Sequence, residues 1–316
     1  MARFVTLTPN PALDISVEVE RIEPGRKLRT GEARLDPGGG GLNAARAIHE
    51  LGGDVRALYV AGGEVGRRLK RLLDAQPVET RLIEIEGETR EGFTALDRGT
   101  DGLYRFVLPG PTLTRQEWRG CIDVLAEELE GAEYLIASGS LPPGVPADFY
   151  ARVARLASEL EVRTVLDGPG AALASGLEEG VYAIKPNWRE FDDLIGNPEG
   201  DDVRRERAAE RIVAEGGAEI VVVTLGSWGG RVTTTEGHLH VHPPHVHPVS
   251  AVGAGDSFAG AMTLMLARGE PIEFAARYGM AAATATQISP GTRLCTLEDT
   301  ERFAERVTIE RPAASA

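Results

Sequence analysis

The chain has 316 residues, a mass of 33.8 kDa and a formal net charge of −14 at pH 7. A chain of this length forms one large or two smaller α/β domains and buries a core without help from disulfides or metals. The acidic balance argues against a nucleic-acid partner, which would require a basic surface, and no apolar run is long enough to span a membrane.

Cysteine is rare, with only Cys121 and Cys295 in the chain. This scarcity fits a reducing compartment and excludes a zinc site built from cysteines. At the start of the chain, Pro9 comes too early for the apolar stretch of a signal peptide. We therefore expect a cytoplasmic protein.

The first third of the chain predicts short strands with two helices among them. A strand over 3–8 is followed by alternating polar and apolar segments at 14–20 and 27–35. Helices are predicted at 42–51 and 64–75, around a buried strand at 55–60. Three more short alternating strands follow at 80–86, 92–96 and 103–108. The alternating segments predict a small antiparallel sheet distinct from the main domain.

From residue 114 onward, helices alternate with buried strands at 134–137, 163–167, 181–184 and 219–224. This alternation predicts a doubly wound α/β fold with a mainly parallel sheet and helices on both faces, whose ligands bind beyond the carboxyl ends of the strands. We expect a single domain over 1–310. The small sheet forms a discontinuous lid from about 12–35 and 80–108, and a disordered tail covers 311–316.

Two glycine-rich turns precede helices. The run from Gly38 to Gly41 leads into the helix at 42–51; such a run either lets an anion approach the backbone or is simply a flexible loop, which is the commoner case. Near the end of the chain, Gly253, Ala254 and Gly255 lead into a buried helix whose first turn carries Asp256. This carboxylate either caps the helix or accepts a proton from a hydroxyl that attacks a phosphorus atom.

Polar groups also follow three of the predicted strands. Asn187 and Glu190 lie three residues apart at a helix start, where they either bind Mg²⁺ through water or cap the helix. The segments beginning at Ser138 and at Thr224 follow two other strands. The chain contains no G-x-x-x-x-G-K-[ST] motif, so a P-loop enzyme is excluded.

Five histidines crowd one hairpin: His238, His240, His242, His245 and His247. The first three share a strand face, a spacing found in some zinc sites. The pair Pro243-Pro244 interrupts the strand, and the surrounding sequence supplies no evident acidic second shell. We therefore favour an ordinary exposed strand face over a metal site.

Together, these motifs resemble the ribokinase-like sugar kinases of the phosphofructokinase B family. The resemblance rests on the early run 37–47, the late run 252–257, and the segments 8–14, 185–190 and 224–226, and it extends from Arg3 to about Arg306. Within the family, the positions of Asp14, Lys27 and Arg90, with 104–110 and 291–295, are most similar to the 6-phosphofructokinase branch. The branch of 1-phosphofructokinase and tagatose-6-phosphate kinase usually carries a lysine where this chain has Gly40.

The resemblance implies ATP-dependent phosphorylation of fructose 6-phosphate at its C1 hydroxyl, with Asp256 as the general base and the amides of Gly253, Ala254 and Gly255 holding phosphoryl charge. The residues implied to bind the sugar phosphate are Asp14, Lys27, Gly38, Gly39, Asn43, Arg90, Arg105, Gly139 and Ser140, with Ser138 as the alternative hydroxyl. Those implied to bind ATP are Lys185, Asn187, Thr224, Gly226, Ser227 and Gly229.

The resemblance also implies Mg²⁺, held through water by Asn187 and Glu190. A K⁺ site is implied as well, formed by the carbonyls of Ser250, Val252, Gly291 and Arg293. It further implies a homodimer joined through the lid. The alternatives are a 1-phosphofructokinase, a tagatose-6-phosphate kinase or a catalytically silent sugar-phosphate or nucleotide sensor. A sensor needs no base, so the presence of both Asp256 and Glu190 in the chain favours an enzyme.

Overall fold

The computed structural model describes residues 3–289 and 293–311. In chain order its strands are β1 Arg3–Thr8, β2 Ala12–Val19, β3 Arg34–Gly38, β4 Asp54–Ala61, β5 Glu79–Glu84, β6 Arg90–Asp97, β7 Gly102–Val107, β8 Tyr134–Ser138, β9 Arg163–Asp167, β10 Val181–Ile184, β11 Ala218–Thr224, β12 Gly230–Thr234, β13 Gly237–His242 and β14 Thr308–Glu310. Its α-helices are α1 Gly40–Glu50, α2 Gly63–Asp74, α3 Arg115–Leu129, α4 Phe149–Glu159, α5 Gly170–Leu177, α6 Trp188–Ile195, α7 Asp202–Ala214, α8 Ala254–Ala267, α9 Ile272–Ile288 and α10 Leu297–Ala304.

A ten-stranded sheet with the order β14-β13-β12-β11-β10-β9-β8-β1-β4-β5 forms the centre of the molecule. The strands from β11 to β5 in this order run parallel, and β12, β13 and β14 extend the sheet antiparallel. The first strand β1 lies between β4 and β8, so the winding direction reverses beside it. Ligands bind at such a reversal in doubly wound sheets, and the prediction of this fold class is confirmed.

The sheet is covered on both faces because its strands alternate side chains between two hydrophobic layers. In β1, Phe4 belongs to the layer of α1, α2, α8, α9 and α10, whereas Val5 and Leu7 belong to the layer of α3 to α7. In β11, Val222 and Val223 divide in the same way. Each face therefore has its own core, and the carboxyl ends of the strands stay open between them. Among the described residues, no helix combines the length and the apolarity needed to cross a bilayer.

A second sheet, here called the lid, has the order β3-β2-β6-β7. The pairs β2–β3 and β6–β7 are antiparallel, while β2 and β6 run parallel. The lid differs from the prediction in two segments. Regular pairing in the first begins only at Arg34, leaving 27–33 outside any strand. The segment predicted at 80–86 is β5, which pairs with β4 at the edge of the large sheet.

The position of β5 at the edge of the large sheet explains why the segment 80–86 was predicted to belong to the lid. A strand at the rim of a large sheet is half covered, so β5 shows the same alternation as a strand with one wet face. Arg311 is the last described residue. The rest of the predicted tail, 312–316, lies outside the described residues.

Candidate active site

A cleft of about 640 Å³ lies between the carboxyl ends of the parallel strands and the lid. Most of the residues predicted for the site line it: Asp14, Gly39, Asn43, Arg90, Arg105, Gly139, Ser140, Lys185, Asn187, Glu190, Thr224, Gly226, Gly229, Val252, Gly253, Ala254, Gly255 and Asp256. Elements far apart in the sequence thus converge on one cavity, as the doubly wound fold requires.

Asp256 lies in the first turn of α8, where Gly253 holds the N-cap position with a left-handed φ of 79°. Glycine adopts that backbone at little cost, so the chain can turn sharply into the helix. Asp256 is therefore not the N-cap residue. Its Oδ2 accepts a hydrogen bond of 2.8 Å from Asn43 Nδ2. Burial and the neighbouring Asp167 raise the pKa of Asp256 to about 6, against the lowering effects of Asn43 and Lys185.

A hydrogen bond to its oxygen fixes the orientation of the Asn43 side-chain amide. Arg46 Nη1 donates 3.3 Å to Asn43 Oδ1, which leaves Nδ2 to face Asp256. Arg46 is itself three residues further along α1, so both groups share one helix face. The other carboxylate oxygen, Asp256 Oδ1, lies beside Gly40 of the cleft lining, where an added Cβ would be 3.1 Å away.

Lys185 and Asp167 form a buried ion pair beneath the same turn, with Nζ 3.0 Å from Asp167 Oδ1. Burial alone would lower the pKa of Lys185, but the carboxylates of Asp167 and Asp256 outweigh it and raise that pKa. A Cβ placed on Gly255 would lie 3.3 Å from Lys185 Nζ. The ammonium group therefore lies against the amides at the start of α8, where an anion would sit.

Asp167 was missed as a site residue in the sequence. It ends β9 at the carboxyl edge of the sheet, next to Lys185 after β10. A lone acidic residue ending a buried strand was the available signal, but its ion pair with Lys185 is visible only in the fold.

Asn187 and Glu190 form a complete capping box at α6. Asn187 Oδ1 accepts from the amides of Arg189 and Glu190 at 2.9 and 3.1 Å, and Glu190 Oε2 accepts from Asn187 N at 2.8 Å. The capping interpretation is thus correct, yet both residues also line the cleft. Burial, assisted by Asp167, raises the pKa of Glu190 against the hydrogen bond from Asn187. The carboxylates of Glu190, Asp167 and Asp256 supply the oxygen ligands that suit Mg²⁺.

On the lid side of the cleft, the two arginines Arg90 and Arg105 lie near the carboxyl group of Asp14. Arg90 donates to the carbonyls of Asn10 and Leu108 at 2.8 and 3.2 Å, which anchors its guanidinium at the start of β6. Burial raises the pKa of Asp14 to about 6, although Arg105 and Arg90 act to lower it. The Asp14 carboxylate packs against Gly38, because a Cβ there would lie 2.3 Å from Asp14 Oδ2.

The two serine alternatives occupy different positions in the cleft. Ser138 Oγ donates 3.4 Å to the buried Asp167 Oδ2, whereas Ser140 Oγ accepts 3.2 Å from Asn10 Nδ2 on the lid side. Both line the cleft. Lys27, in contrast, is exposed in the segment between β2 and β3 and lies outside the cleft lining.

The end of the cleft where ATP binding is predicted is formed by a backbone-rich turn after β11. Thr224 N donates 3.0 Å to Pro186 O, and Leu225 N donates 2.7 Å to Gly229 O across the short 3₁₀ turn Gly226–Trp228. Gly229 has a φ of 96°, and a Cβ there would lie 2.0 Å from Val241 O. Ser227 sits in this turn, exposed and outside the cleft lining.

The predicted K⁺ ligands come from two adjoining segments. The amides of Val249 and Ser250 both donate to Gln287 O at 2.7 and 3.1 Å. A Cβ on Gly253 would lie 2.5 Å from Leu294 Cδ2, so the segments 250–253 and 293–295 pack together. Gly291 lies outside the described residues.

Comparison with known proteins places this geometry among sugar kinases. The profile described as pfkB family carbohydrate kinase matches residues 10–299. The chain is 42% identical over 303 residues to the ATP-dependent 6-phosphofructokinase isozyme 2 of Mycobacterium tuberculosis, covering 96% of this chain and 89% of the relative. It is 39% identical over 306 residues to the Escherichia coli protein of the same name, covering 96% and 98%.

The fold is also similar to solved structures of phosphofructokinase-2 from Escherichia coli. The complex with substrates and products matches with a TM-score of 0.91 and 38% identity, over 96% of this chain and 99% of that chain. The same protein has been solved in complex with potassium and in a tetrameric inhibited form, with TM-scores of 0.91 and 0.90, 37% identity, and coverage of 97% of this chain and 99% of each of those chains.

Proposed function

The chain belongs to the pfkB family of carbohydrate kinases, and from this premise we propose that it is an ATP-dependent 6-phosphofructokinase. It transfers the γ-phosphoryl group of ATP to the C1 hydroxyl of fructose 6-phosphate and releases fructose 1,6-bisphosphate and ADP. The observation that carries this proposal is the carboxylate of Asp256, held by Asn43 in the cleft that also contains the basic lid residues.

Asp256 acts as the general base. With a pKa of about 6, its carboxylate is largely ionised near pH 7 and can accept the C1 hydroxyl proton at Oδ1, since Oδ2 is bonded to Asn43. The C1 oxygen forms a bond to the γ-phosphorus as the bond from that phosphorus to the bridging oxygen of ADP breaks. The proton remains on Asp256 until it is lost to solvent.

The start of α8 stabilises the transferring group. The amides at the start of α8 and the ammonium of Lys185, which lies against Gly255, direct positive charge at the transferring phosphoryl oxygens. Asp167 fixes Lys185 in that position through their 3.0 Å ion pair.

In this proposal the sugar phosphate and ATP bind at the two ends of the cleft. Arg90 and Arg105, with Lys27 from the adjoining segment, hold the sugar phosphate, while Asp14, Gly38, Gly39, Asn43, Gly139 and Ser140 face the sugar. ATP lies along Lys185, Asn187, Thr224, Gly226, Ser227 and Gly229. An anchored 6-phosphate leaves the C1 end of the sugar beside Asp256, which sets the site of transfer.

Two metal ions belong to this proposal. Asn187 and Glu190 would hold Mg²⁺ through water, and the ion would neutralise charge on the phosphates of ATP. A K⁺ ion bound by carbonyls of Ser250, Val252, Gly291 and Arg293 is supported by the potassium complex of the Escherichia coli relative. Activity should be higher in potassium than in sodium at equal ionic strength, and equal rates in both salts would remove the K⁺ site from the proposal.

The chain works as one kinase domain whose lid joins two copies into a homodimer. The exposed apolar side chains of β7 support this arrangement. The free, buried state of Cys121 and Cys295 fits a cytoplasmic location, which fractionation of cells carrying the protein would test.

A coupled assay of ADP release with purified protein tests the reaction. We expect kcat/KM for fructose 6-phosphate to exceed that for fructose 1-phosphate and tagatose 6-phosphate by at least about tenfold, or roughly 1.4 kcal/mol. Preference for either competitor would assign the chain to the other branch. Binding of sugar phosphate without ADP release would instead indicate a sensor.

A further inference from the structure

A second cluster of ligating side chains lies on the antiparallel end of the large sheet, outside the cleft. His240 and His242 on β13 and Glu310 on β14 each place one ligand atom within 4.8 Å of the other two. His240 pairs directly opposite Glu310 in the strand register, and His242 follows on the same face of β13. We propose that these three side chains bind one divalent transition-metal ion of the zinc type, which ties β14 to β13.

The imidazole nitrogens that face this cluster are not occupied by hydrogen bonds within the part of the chain that the structure describes. His240 Nε2 is a buried polar atom without a hydrogen-bond partner among the described residues, and such an atom costs free energy when left unpaired. His242 Nε2 lies 3.6 Å from Glu310 Oε2, beyond a normal hydrogen bond. A bound ion would satisfy all three groups at once.

His238 differs from its two neighbours. Its Nδ1 lies 2.9 Å from Thr233 Oγ1, and its Nε2 lies 2.8 Å from Glu210 Oε1. Both of its nitrogens are therefore in use. Although the three histidines alternate along one strand face, the structure selects only His240 and His242 as ligands.

The three ligand atoms are slightly farther apart than in a tetrahedral zinc site. Zinc–nitrogen bonds of about 2.0–2.1 Å place neighbouring ligand atoms roughly 3.3 Å apart. The cluster needs only side-chain rotation to contract to that spacing, since the side chains of His242 and Glu310 are 45% and 68% exposed. The same exposure gives the ion a path from solvent.

The local charge also suits a cation. Glu206 Oε1 lies 3.7 Å from His240 Nε2, and Arg231 bridges Glu206 and Asp202 at 3.2 and 3.3 Å. Asp202 is paired with two guanidinium groups, those of Arg205 and Arg231, which leaves Glu206 and Glu310 as the carboxylates beside the imidazoles. These acids come from α7 and β14, distant in the chain, so the sequence around the histidines did not reveal them.

Zinc binding to the full-length, untagged protein tests the site, after treatment with a chelator and removal of nucleotide. We expect isothermal titration with Zn²⁺ to show one equivalent that the His240→Ala/His242→Ala variant loses or binds at least about tenfold more weakly. The His245→Ala/His247→Ala variant removes the same number of imidazoles from the next segment. It should bind Zn²⁺ as the wild type does, and equal loss in both variants would overturn the proposal.

The bridge to β14 provides a second measurement. Zn²⁺ should slow hydrogen exchange at residues 308–310 in the wild type and leave it unchanged in Glu310→Gln, which also binds Zn²⁺ more weakly. Because Glu310 is exposed, this variant keeps the test valid even where the double alanine variant does not fold. If Zn²⁺ did not change hydrogen exchange at residues 308–310 in the wild type, the proposed bridge would be refuted. The inference does not depend on the proposed reaction.

Discussion

Burial and the neighbouring Asp167 raise the pKa of Asp256, while Asn43 and Lys185 lower it. We expect Asp256→Asn to lower kcat by about 10²–10⁴, because an amide cannot accept the hydroxyl proton. Sugar-phosphate affinity should be largely kept. Steady-state rates and equilibrium binding on one preparation measure both. Asp299→Asn, the same change in the exposed first turn of α10, should leave kcat unaltered.

The stability of the Asp256→Asn variant distinguishes two roles of Asp256, that of a general base and that of a helix cap. A folded pKa of about 6 against a usual 3.8 means that the folded state binds more protons between these values. Stability therefore falls as pH rises through 6. Without this carboxyl, the variant should be more stable than the wild type at pH 8 but not at pH 4. A loss of about 1 kcal/mol at pH 8 with activity kept would show that Asp256 only caps.

Gly40 lies in close contact with two other residues of the cleft. A Cβ at this position would lie 2.0 Å from Ser138 Oγ and 3.1 Å from Asp256 Oδ1. We expect Gly40→Ala to displace Ser138 and destabilise the fold by about 1–3 kcal/mol, with a loss of activity that Ser138→Ala partly reverses. Thermal unfolding and rates of the single and double variants measure this coupling.

A helical glycine with open space is the control for Gly40. Nothing lies within 4 Å of a Cβ on Gly120 in α3. Gly120→Ala should stabilise the protein by about 0.5–1 kcal/mol and leave the rate unchanged. If Gly40→Ala behaved in the same way, the close contact with Ser138 would carry no consequence for catalysis.

The motifs and the family resemblance together predicted most of the residues that line the cleft. Several of them, such as Lys185 and Asp256, follow a strand or open a helix at the carboxyl edge, whereas Asp14 and Arg105 lie within lid strands. The sequence could not separate Ser138 from Ser140, since their difference lies in contacts with Asp167 at the end of β9 and with Asn10 between β1 and β2. Asp167 was missed for the same reason. Its partner Lys185 is 18 residues away along the chain but 3.0 Å away in space.

Two helices carry the same capping box, which makes a matched experiment possible. Asn187–Glu190 opens α6 inside the cleft, and Thr114–Glu117 opens α3 outside it. Glu190→Gln should raise the Mg²⁺ concentration for half-maximal activity by about tenfold, because a negative ligand to the metal or its waters is lost. The helix itself should persist, since glutamine also completes a capping box.

Glu117→Gln is the control for this change. It alters the same position of an equivalent box and should leave the Mg²⁺ titration unchanged. Similar shifts in both variants would mean that Glu190 acts through folding alone. The comparison thus separates helix capping from metal binding, two roles that the sequence left open.

At the level of elements, periodicity predicted the large sheet well and the lid less well. Strands buried on both faces, such as β1 and β11, are mostly apolar, and this signal is strong. The segment at 80–86 was assigned to the wrong sheet because alternation does not reveal which partner strand covers the apolar face. The mixed pairing of β2 with β6 likewise depends on the path of the chain between them.

The whole molecule presents an apolar strand at its surface. In β7, the side chains of Leu103, Tyr104 and Phe106 are 47%, 43% and 57% exposed. We expect the wild type to scatter light as a dimer, with twice the 33.8 kDa mass of the chain. Leu103→Glu/Tyr104→Glu should be a monomer, because two buried charges at an interface are unfavourable.

Val203→Glu serves as the surface control, since Val203 is 53% exposed on α7, far from the lid in sequence. It should scatter as the wild type does. A fully active wild-type monomer at working concentration would contradict the dimer.

The hydrogen bond between Asn43 and Asp256 joins residues 213 positions apart. Such a contact closes only after the intervening strands have found their places, and folds rich in distant contacts form slowly. A chain that still lacks α8 during synthesis also lacks Asp256, so under the proposed mechanism an unfinished copy should not consume ATP. After dilution from denaturant, the return of kinase turnover should accordingly lag behind the return of the helical circular dichroism signal.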